Sequence, residues 1–163
     1  MKNFKPLSYV RLNKVPRWLP LTFLILSFLG FLDAAYLTAE HYLGIPVVCS
    51  VLNGCEEVLQ SEYSMFFGIP VALFGVGYYA AVFLLTVLFL DTKKETFLKL
   101  ALLLPLVGFL FSLWFVFTQA VLLQAYCLYC MISAAITTTL FILSLFVFLG
   151  KESSIKEEYE ENT

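Results

Sequence analysis

Residues 97–149 read "FLKLALLLPLVGFLFSLWFVFTQAVLLQAYCLYCMISAAITTTLFILSLFVFL", two long apolar runs separated only by the short break QAYC at 124–127. A helix needs about 20 apolar residues to cross the roughly 30 Å hydrocarbon core of a bilayer. Both runs reach that length, so the stretch predicts two membrane-spanning helices, at 97–123 and 128–149. Because the break is so short, we expect the two helices to pack antiparallel.

Two further runs, 19–43 and 69–90, are long and apolar enough to span a membrane. The chain of 163 residues is 61% hydrophobic and only 13% charged, which is too apolar for a protein that meets water on all sides. The sequence therefore predicts an all-α integral membrane protein, a bundle of four transmembrane helices formed by residues 19–149. The segment between the first two spans is too polar and too interrupted by Gly and Pro to cross.

The positive charges predict how the bundle is oriented. The ten Lys and Arg residues are Lys2, Lys5, Arg11, Lys14, Arg17, Lys93, Lys94, Lys99, Lys151 and Lys156. None lies in the first loop or near 124–127, and cytoplasmic segments carry the excess of Lys and Arg. We expect a multi-pass membrane protein with a cytoplasmic N-terminal tail at 1–18 and a cytoplasmic acidic tail at 150–163.

All four cysteines fall on the opposite, extracytoplasmic face in this topology. Cys49 and Cys55 lie in the first loop, whereas Cys127 and Cys130 form a C-x-x-C at the start of the fourth span. A helix N-terminus favours the thiolate form, so one thiol of the C-x-x-C is expected to be acidified and reactive. One fixed and one loop-borne dithiol suggest a relay by thiol–disulfide exchange.

Two other interpretations of the four cysteines are weighed against a relay. They could form two inert structural disulfides, but a C-x-x-C bridge closes a very small ring and gains little stability from it. They could bind zinc, but an oxidising compartment is a poor place to keep four thiols reduced. We expect no metal. The corresponding alternative function is a non-enzymatic membrane transporter or assembly protein with structural disulfides.

A relay of electrons needs an acceptor. The chain has no glycine-rich phosphate loop and only one histidine, His41. A lipid-soluble quinone that enters the aromatic-rich bundle from the bilayer is therefore the expected acceptor, by elimination and by location. No nucleic-acid partner is expected.

The order of these motifs resembles the vitamin K epoxide reductase family in its prokaryotic form. The resemblance extends over almost the whole chain and is carried by "CSVLNGCEEVLQSEYSMFFGIPVALFG" at 49–75 and "YCLYC" at 126–130. It implies a quinone-dependent disulfide oxidoreductase that supports disulfide bond formation, with a short half-helix capping the active site between helices 1 and 2.

The resemblance also implies a role for each cysteine. Cys130 would lie nearest the quinone and Cys127 would exchange with the loop. Cys55 would react with Cys127, and Cys49 would meet the external redox partner. Ser61 matches the family's loop serine near the active site, although a hydroxyl there could also serve only the local turn.

This sequence departs from animal members of the family at two positions. A tyrosine four residues after the C-x-x-C is Ala134 here, and an asparagine before the second span is replaced by Ser64. These changes favour a respiratory quinone, menaquinone, ubiquinone or a relative, over vitamin K epoxide. Many prokaryotic members carry a fused thioredoxin-like domain; none follows the fourth span here, so the expected partner is a separate thioredoxin-fold (DsbA-like) protein.

Two residues in the spans are further candidates for the quinone site. Asp33 lies within the first span, a costly place for a carboxylate, where it forms either a structural hydrogen bond or part of the quinone pocket. Tyr129 lies inside the C-x-x-C, where its ring either joins the interfacial aromatic belt or stacks on the quinone.

Overall fold

Four long apolar helices form the body of the protein. The computed structural model describes residues 16, 18–44, 49 and 54–161, with side chains as far as 149. The spans are Trp18–Leu43 (α1), Val71–Thr92 (α3), Glu95–Phe117 (α4) with its extension to Leu123, and Leu128–Leu149 within α5 (Leu128–Glu161). The predicted bundle of four spans is confirmed. The helix ends differ by no more than two residues from those predicted, except that α5 continues past 149 to Glu161.

The turns between the spans follow from local sequence. Helix α3 begins directly after Pro70, a residue suited to a helix entrance. It ends where Lys93 takes a left-handed conformation (φ 54°) and donates its backbone N–H to the Phe89 carbonyl at 2.9 Å. Helix α4 starts two residues later, and its first turn carries a Glu95–Lys99 ion pair of 3.7 Å. Helices α3 and α4 are therefore antiparallel neighbours.

The helices close into a ring in which α1 packs against α3 and α5, and α4 packs against α3 and α5. Leu19, Phe23, Val82 and Leu140 lie in the main buried cluster at its centre. Many of the large apolar side chains outside this cluster, such as Leu21, Phe111 and Phe146, are exposed on the surface of the bundle, as expected for helices that face lipid.

Hydroxyl groups inside the bundle are satisfied mostly within their own helices. Ser27 donates to the Phe23 carbonyl at 2.6 Å, and Thr86 donates to the Val82 carbonyl at 2.7 Å. Such bonds to the carbonyl four residues earlier let a polar side chain lie in an apolar medium without an unpaired group.

One phenol connects two helices. The Tyr79 hydroxyl donates to the Ser133 carbonyl at 2.9 Å and lies 2.8 Å from the hydroxyls of both Ser133 and Thr137. The ring packs so closely on Gly30 of α1 that a Cβ at that position would overlap it. Tyr79 therefore fixes α3 against α1 and against the first turns of α5.

A small cap connects α1 to α3. It consists of the short helix α2 (Cys55–Leu59), a 3₁₀ turn (Glu62–Ser64) and a hairpin of two two-residue strands, β1 (Met65–Phe66) and β2 (Ile69–Pro70). The strands pair Met65 with Pro70 and Phe66 with Ile69. The two residues of the turn, Phe67 and Gly68, have positive φ angles of 51° and 80°, as in the tight turns that suit hairpins. The half-helix was predicted, whereas the hairpin was not.

Candidate functional site

The four cysteines lie together at one end of the bundle. Cys55 opens α2, and Cys127 and Cys130 lie just before and within the first turn of α5. Cys55, Val58, Ala125 and Cys127 form one buried cluster, and Cys49 and Cys130 pack against it. The structure therefore brings the two sequence-predicted pairs into a single site.

The loop pair is a disulfide. Cys49 and Cys55 are bonded, with their Cα atoms 6.2 Å apart, in the ordinary range for such a bridge. Cys55 is 1% exposed, whereas Cys49 is only partly buried. A nucleophile from outside the protein therefore has access to the Cys49 sulfur rather than to Cys55.

The helix pair carries two thiols that meet different surroundings. Cys127 is fully buried in the cluster with Cys55. Cys130, three residues on, is half-buried and borders a cavity inside the bundle.

The pKa of the Cys127 thiol is lowered to about 7. The largest cause is a hydrogen bond from the Cys130 side chain, and the backbone N–H groups of Cys130 and Tyr129 act in the same direction. Burial and the negative charge of Asp33 oppose this lowering. Cys127 is therefore the thiol of the pair that is most readily ionised near neutral pH.

The cavity next to Cys130 has a volume of about 410 Å³, within the range of small-molecule sites. All four long helices contribute to its lining, which includes Asp33, Phe74, Phe111, Cys130, Ser133 and Thr137. Three of the aromatic side chains that border it are about half or more exposed on the outer surface of α3 and α4, namely Phe74, Phe111 and Trp114. The cavity therefore reaches the lipid-facing side of the bundle.

The two positions at which the chain departs from animal members both border this cavity. Ser64, in the cap, is buried and its hydroxyl donates to the Ser61 carbonyl at 2.7 Å. Ala134 contributes only a methyl group. Neither side chain offers the phenol or the amide found in those relatives.

Asp33 is the sequence-predicted residue that the structure places in the cavity with Cys130. Its Oδ2 is buried and has no hydrogen-bond partner in the structure. The side chain is thus part of the pocket lining, and the structural hydrogen bond that we considered for it is not seen for this oxygen.

Ser61 and Tyr129 lie beside the site, outside the described residues that line the cavity. The Ser61 hydroxyl donates to the Val58 carbonyl at 2.7 Å, as expected for a turn hydroxyl at the end of α2. The Tyr129 ring packs on Tyr36 with ring centroids 5.1 Å apart. Contact of either residue with a quinone stays a prediction.

Gln119 is a site residue that sequence analysis missed. It lies in a short π-helix (Thr118–Leu123) at the end of α4 and is fully buried. Its Oε1 accepts the Cys127 backbone N–H at 2.9 Å, and its carbonyl accepts the Ala125 N–H at 3.2 Å. A lone amide in an otherwise apolar run was the only signal that the sequence offered.

Within the part of the chain that the structure describes, no group of three or more His, Cys, Asp or Glu side chains could hold a metal ion. With Cys49 and Cys55 joined, the four sulfurs do not offer four thiolates to zinc in this structure.

A comparison with protein-family models finds a match over residues 21–145 to the one described as the vitamin K epoxide reductase family. The match covers all four spans except their outermost residues, and it includes the four cysteines and the cap. No individual curated protein matches the chain significantly.

Proposed function

Because the chain belongs to the vitamin K epoxide reductase family, we propose that it oxidises a thioredoxin-fold protein and passes the electrons to a membrane quinone. Membership makes it a membrane disulfide oxidoreductase. The single observation that carries the finer proposal is the arrangement of Cys55, Cys127 and Cys130, in which one buried cluster joins the loop disulfide to a thiol at the edge of a lipid-accessible cavity.

The first half of the cycle brings electrons to Cys127 and Cys130. A partner thiolate attacks Cys49, the more accessible sulfur, and releases the Cys55 thiolate. Cys55 attacks Cys127 in a Cys127–Cys130 disulfide and releases Cys130 as a thiolate. The partner's second thiol then attacks the partner sulfur bonded to Cys49, so that the partner leaves as a disulfide and Cys49 is released as a thiolate. Cys49 attacks Cys55 in the Cys55–Cys127 disulfide, which re-forms the loop disulfide and releases Cys127 as a thiolate.

In the second half of the cycle, the reduced Cys127 and Cys130 pair is oxidised again. Cys127 and Cys130 give up two electrons and two protons to the quinone, which leaves a Cys127–Cys130 disulfide and a quinol. Between the two halves the proposed cycle passes through a loop disulfide with two thiols at the helix, the same set of sulfur bonds that the structure contains. The chain's own contribution is to keep Cys127 ionisable, to keep Cys130 at the cavity and to bury the exchange away from water.

Menaquinone, ubiquinone or a relative is the proposed acceptor. Ala134 and Ser64 border the cavity and lack the groups of the animal members, which supports a respiratory quinone over vitamin K epoxide. The resemblance to prokaryotic members supports a prokaryotic inner (cytoplasmic) membrane as its location. The distribution of Lys and Arg supports cytoplasmic termini, which puts the cysteines on the oxidising side. The proposed partner is a separate DsbA-like protein.

The test uses the purified protein with two electron donors, dithiothreitol and a reduced DsbA-like protein, and with 2-methyl-1,4-naphthoquinone as acceptor. We expect Cys127→Ala and Cys130→Ala to abolish quinone reduction with either donor. We expect Cys49→Ala to abolish it only with the protein donor, because the small dithiol can reduce the helix pair directly. Full activity of the Cys130 variant would refute the assignment.

A redox titration of the wild-type protein tests the alternative of a non-enzymatic protein with structural disulfides. Structural bridges resist mild reductants, whereas relay cysteines exchange readily. We expect both pairs to equilibrate with a glutathione redox buffer; resistance of both pairs would favour the alternative.

A further inference from the structure

The side-chain amide of Gln119 is hydrogen-bonded through its oxygen but not through its nitrogen. Its Oε1 accepts the Cys127 backbone N–H at 2.9 Å. Since a backbone N–H requires an acceptor, the oxygen must face Cys127 and the NH₂ group must point away from it. The orientation of this side chain is therefore fixed by its bond to the C-x-x-C.

The Nε2 group left on the other side is buried and has no hydrogen-bond partner in the structure. The residue as a whole is 0% exposed. An unpaired buried donor destabilises a protein, and buried polar groups in proteins almost always have a partner. A ligand that brings an acceptor to this place would remove that cost.

Gln119 borders the same cavity as Cys130. The proposed substrate of that cavity is a quinone, whose two carbonyl oxygens are hydrogen-bond acceptors that gain negative charge as the ring is reduced. A fixed donor that faces a developing negative charge stabilises the transition state more than the ground state. A quinone oxygen held at the Gln119 side of this cavity would supply the acceptor that Nε2 lacks.

We propose that Nε2 of Gln119 donates a hydrogen bond to a carbonyl oxygen of the quinone that Cys130 reduces. The inference rests on the proposed function and names a substrate-binding residue for it. One amide would then hold the Cys127 backbone with its oxygen and the quinone with its nitrogen, and so fix the ring relative to the thiol pair. The electron and proton balance is unchanged, because Gln119 keeps its own protons.

The decisive variant is Gln119→Glu, assayed from pH 6 to pH 9. The ionised side chain keeps an oxygen for the Cys127 N–H and puts a second oxygen in place of Nε2, whereas the neutral carboxyl favoured by burial would still donate, so the effect should be largest at high pH. Removal of one such donor typically costs 10²–10³-fold in rate where a full oxyanion forms. For a quinone carbonyl we expect kcat/KM for 2-methyl-1,4-naphthoquinone, with dithiothreitol as donor, to fall about 10- to 100-fold. Gln60→Glu, on the exposed end of the cap, is the matched control and should change it less than about twofold.

Two readouts separate substrate binding from a structural role. Oxidation of the DsbA-like protein by the fully oxidised enzyme, measured without quinone in a single turnover, should keep its rate in Gln119→Glu. In a Cys130→Ser background, the infrared carbonyl band of carbonyl-¹³C-labelled 2-methyl-1,4-naphthoquinone should be lowered relative to the free quinone, and Gln119→Glu should reverse that shift.

A measurement on the wild-type side chain does not depend on how the variant folds. The chain has three glutamines, Gln60, Gln119 and Gln124. In the NMR spectrum of protein with ¹⁵N-labelled glutamine side chains, the Gln119 amide signal is identified as the one that is absent from Gln119→Met. Addition of the quinone should shift this signal and leave the other two unchanged.

The outcomes are distinct. An unchanged carbonyl band and an unmoved Gln119 signal, with quinone reduction intact in the wild type, would overturn the inference and leave a bound water as the partner of Nε2. Equal slowing of quinone reduction and of partner oxidation in Gln119→Glu would also overturn it, because the residue would then only position Cys127. If the wild type neither binds nor reduces the quinone, the proposed function itself fails.

Discussion

Cys127, just before α5, and Cys130, in the first turn of α5, are three residues apart, yet Cys127 packs against Cys55 while Cys130 borders the cavity of the bundle. The pair therefore connects a buried sulfur cluster under the cap to an apolar space open to lipid. This relationship explains why two cysteines three residues apart are useful at this place.

The lowered pKa of Cys127 predicts thiolate chemistry that persists to neutral pH. In a reduced Cys49→Ala/Cys55→Ala protein, the thiolate absorbance at 240 nm should appear with a midpoint near pH 7, below the ordinary value of about 8.5. It should be lost as the pH falls through that midpoint, and it should be absent from the same protein with Cys127→Ser.

The main cause of that shift can be tested separately. Because the Cys130 thiol donates to the Cys127 sulfur, Cys130→Ala should raise the midpoint, whereas Cys130→Ser, which keeps a donor, should raise it less. A midpoint that is the same in all three proteins would contradict this origin of the shift.

Gly54→Ala should separate the two halves of the cycle. A Cβ at Gly54 would lie 2.8 Å from the Tyr126 backbone nitrogen and 3.0 Å from the Ala125 Cβ, so the cap would have to move away from the segment that carries Cys127. We expect quinone reduction driven by the DsbA-like protein to slow by about tenfold or more, because Cys55 must reach Cys127 to react.

Reduction driven by dithiothreitol should change by less than about twofold in the same variant, since it does not use the cap. A uniform loss with both donors would mean that the substitution damages the helix pair itself.

Gly30→Ala should destabilise the bundle. The added methyl group would overlap the Tyr79 ring, which is 1% exposed and held by its hydrogen bonds to α5. Overpacking of this kind costs about 1–3 kcal/mol, measured as the free energy of unfolding in an SDS titration. Gly77→Ala is the control, since nothing lies within 4 Å of a Cβ there; it should be neutral or slightly stabilising.

Tyr79→Phe should weaken the connection between α3 and α5. It removes the hydroxyl that donates to the Ser133 carbonyl and leaves the Thr137 hydroxyl without this neighbour. We expect a loss of about 1–2 kcal/mol in the same titration. Tyr42→Phe, at an exposed tyrosine, should have no measurable effect, and equal stability of the two variants would show that the Tyr79 bonds contribute nothing.

Much of the architecture could be predicted because lipid imposes a length and a polarity on each span. The four apolar runs and the break before α5 follow from that constraint alone, and so does the placement of all four cysteines at one end of the bundle. The start of α2 at Cys55 agrees with the early acids Glu56 and Glu57, which suit a helix N-terminus.

The remaining features depend on contacts between residues far apart in sequence. Glycines in a span often allow close helix packing, but Gly77 has open space around it, while the tightest approaches are at Gly30 and Gly108, each against a tyrosine ring. No local pattern distinguishes these glycines. Likewise, the bond from Gln119 to Cys127 depends on how the chain turns after the π-helix, and a single sequence does not encode that turn in a recognisable motif.

The exposed aromatic side chains of Phe74, Phe111 and Trp114 on the rim of the cavity have a consequence for substrate range. A ring bound beside Cys130 would leave its isoprenoid chain among the acyl chains of the surrounding bilayer, where the protein does not enclose it. Discrimination would then act on the head group, so quinones with side chains of very different length would be used with similar efficiency. The membrane composition of the host, rather than a length-measuring tunnel, would decide which of them is consumed.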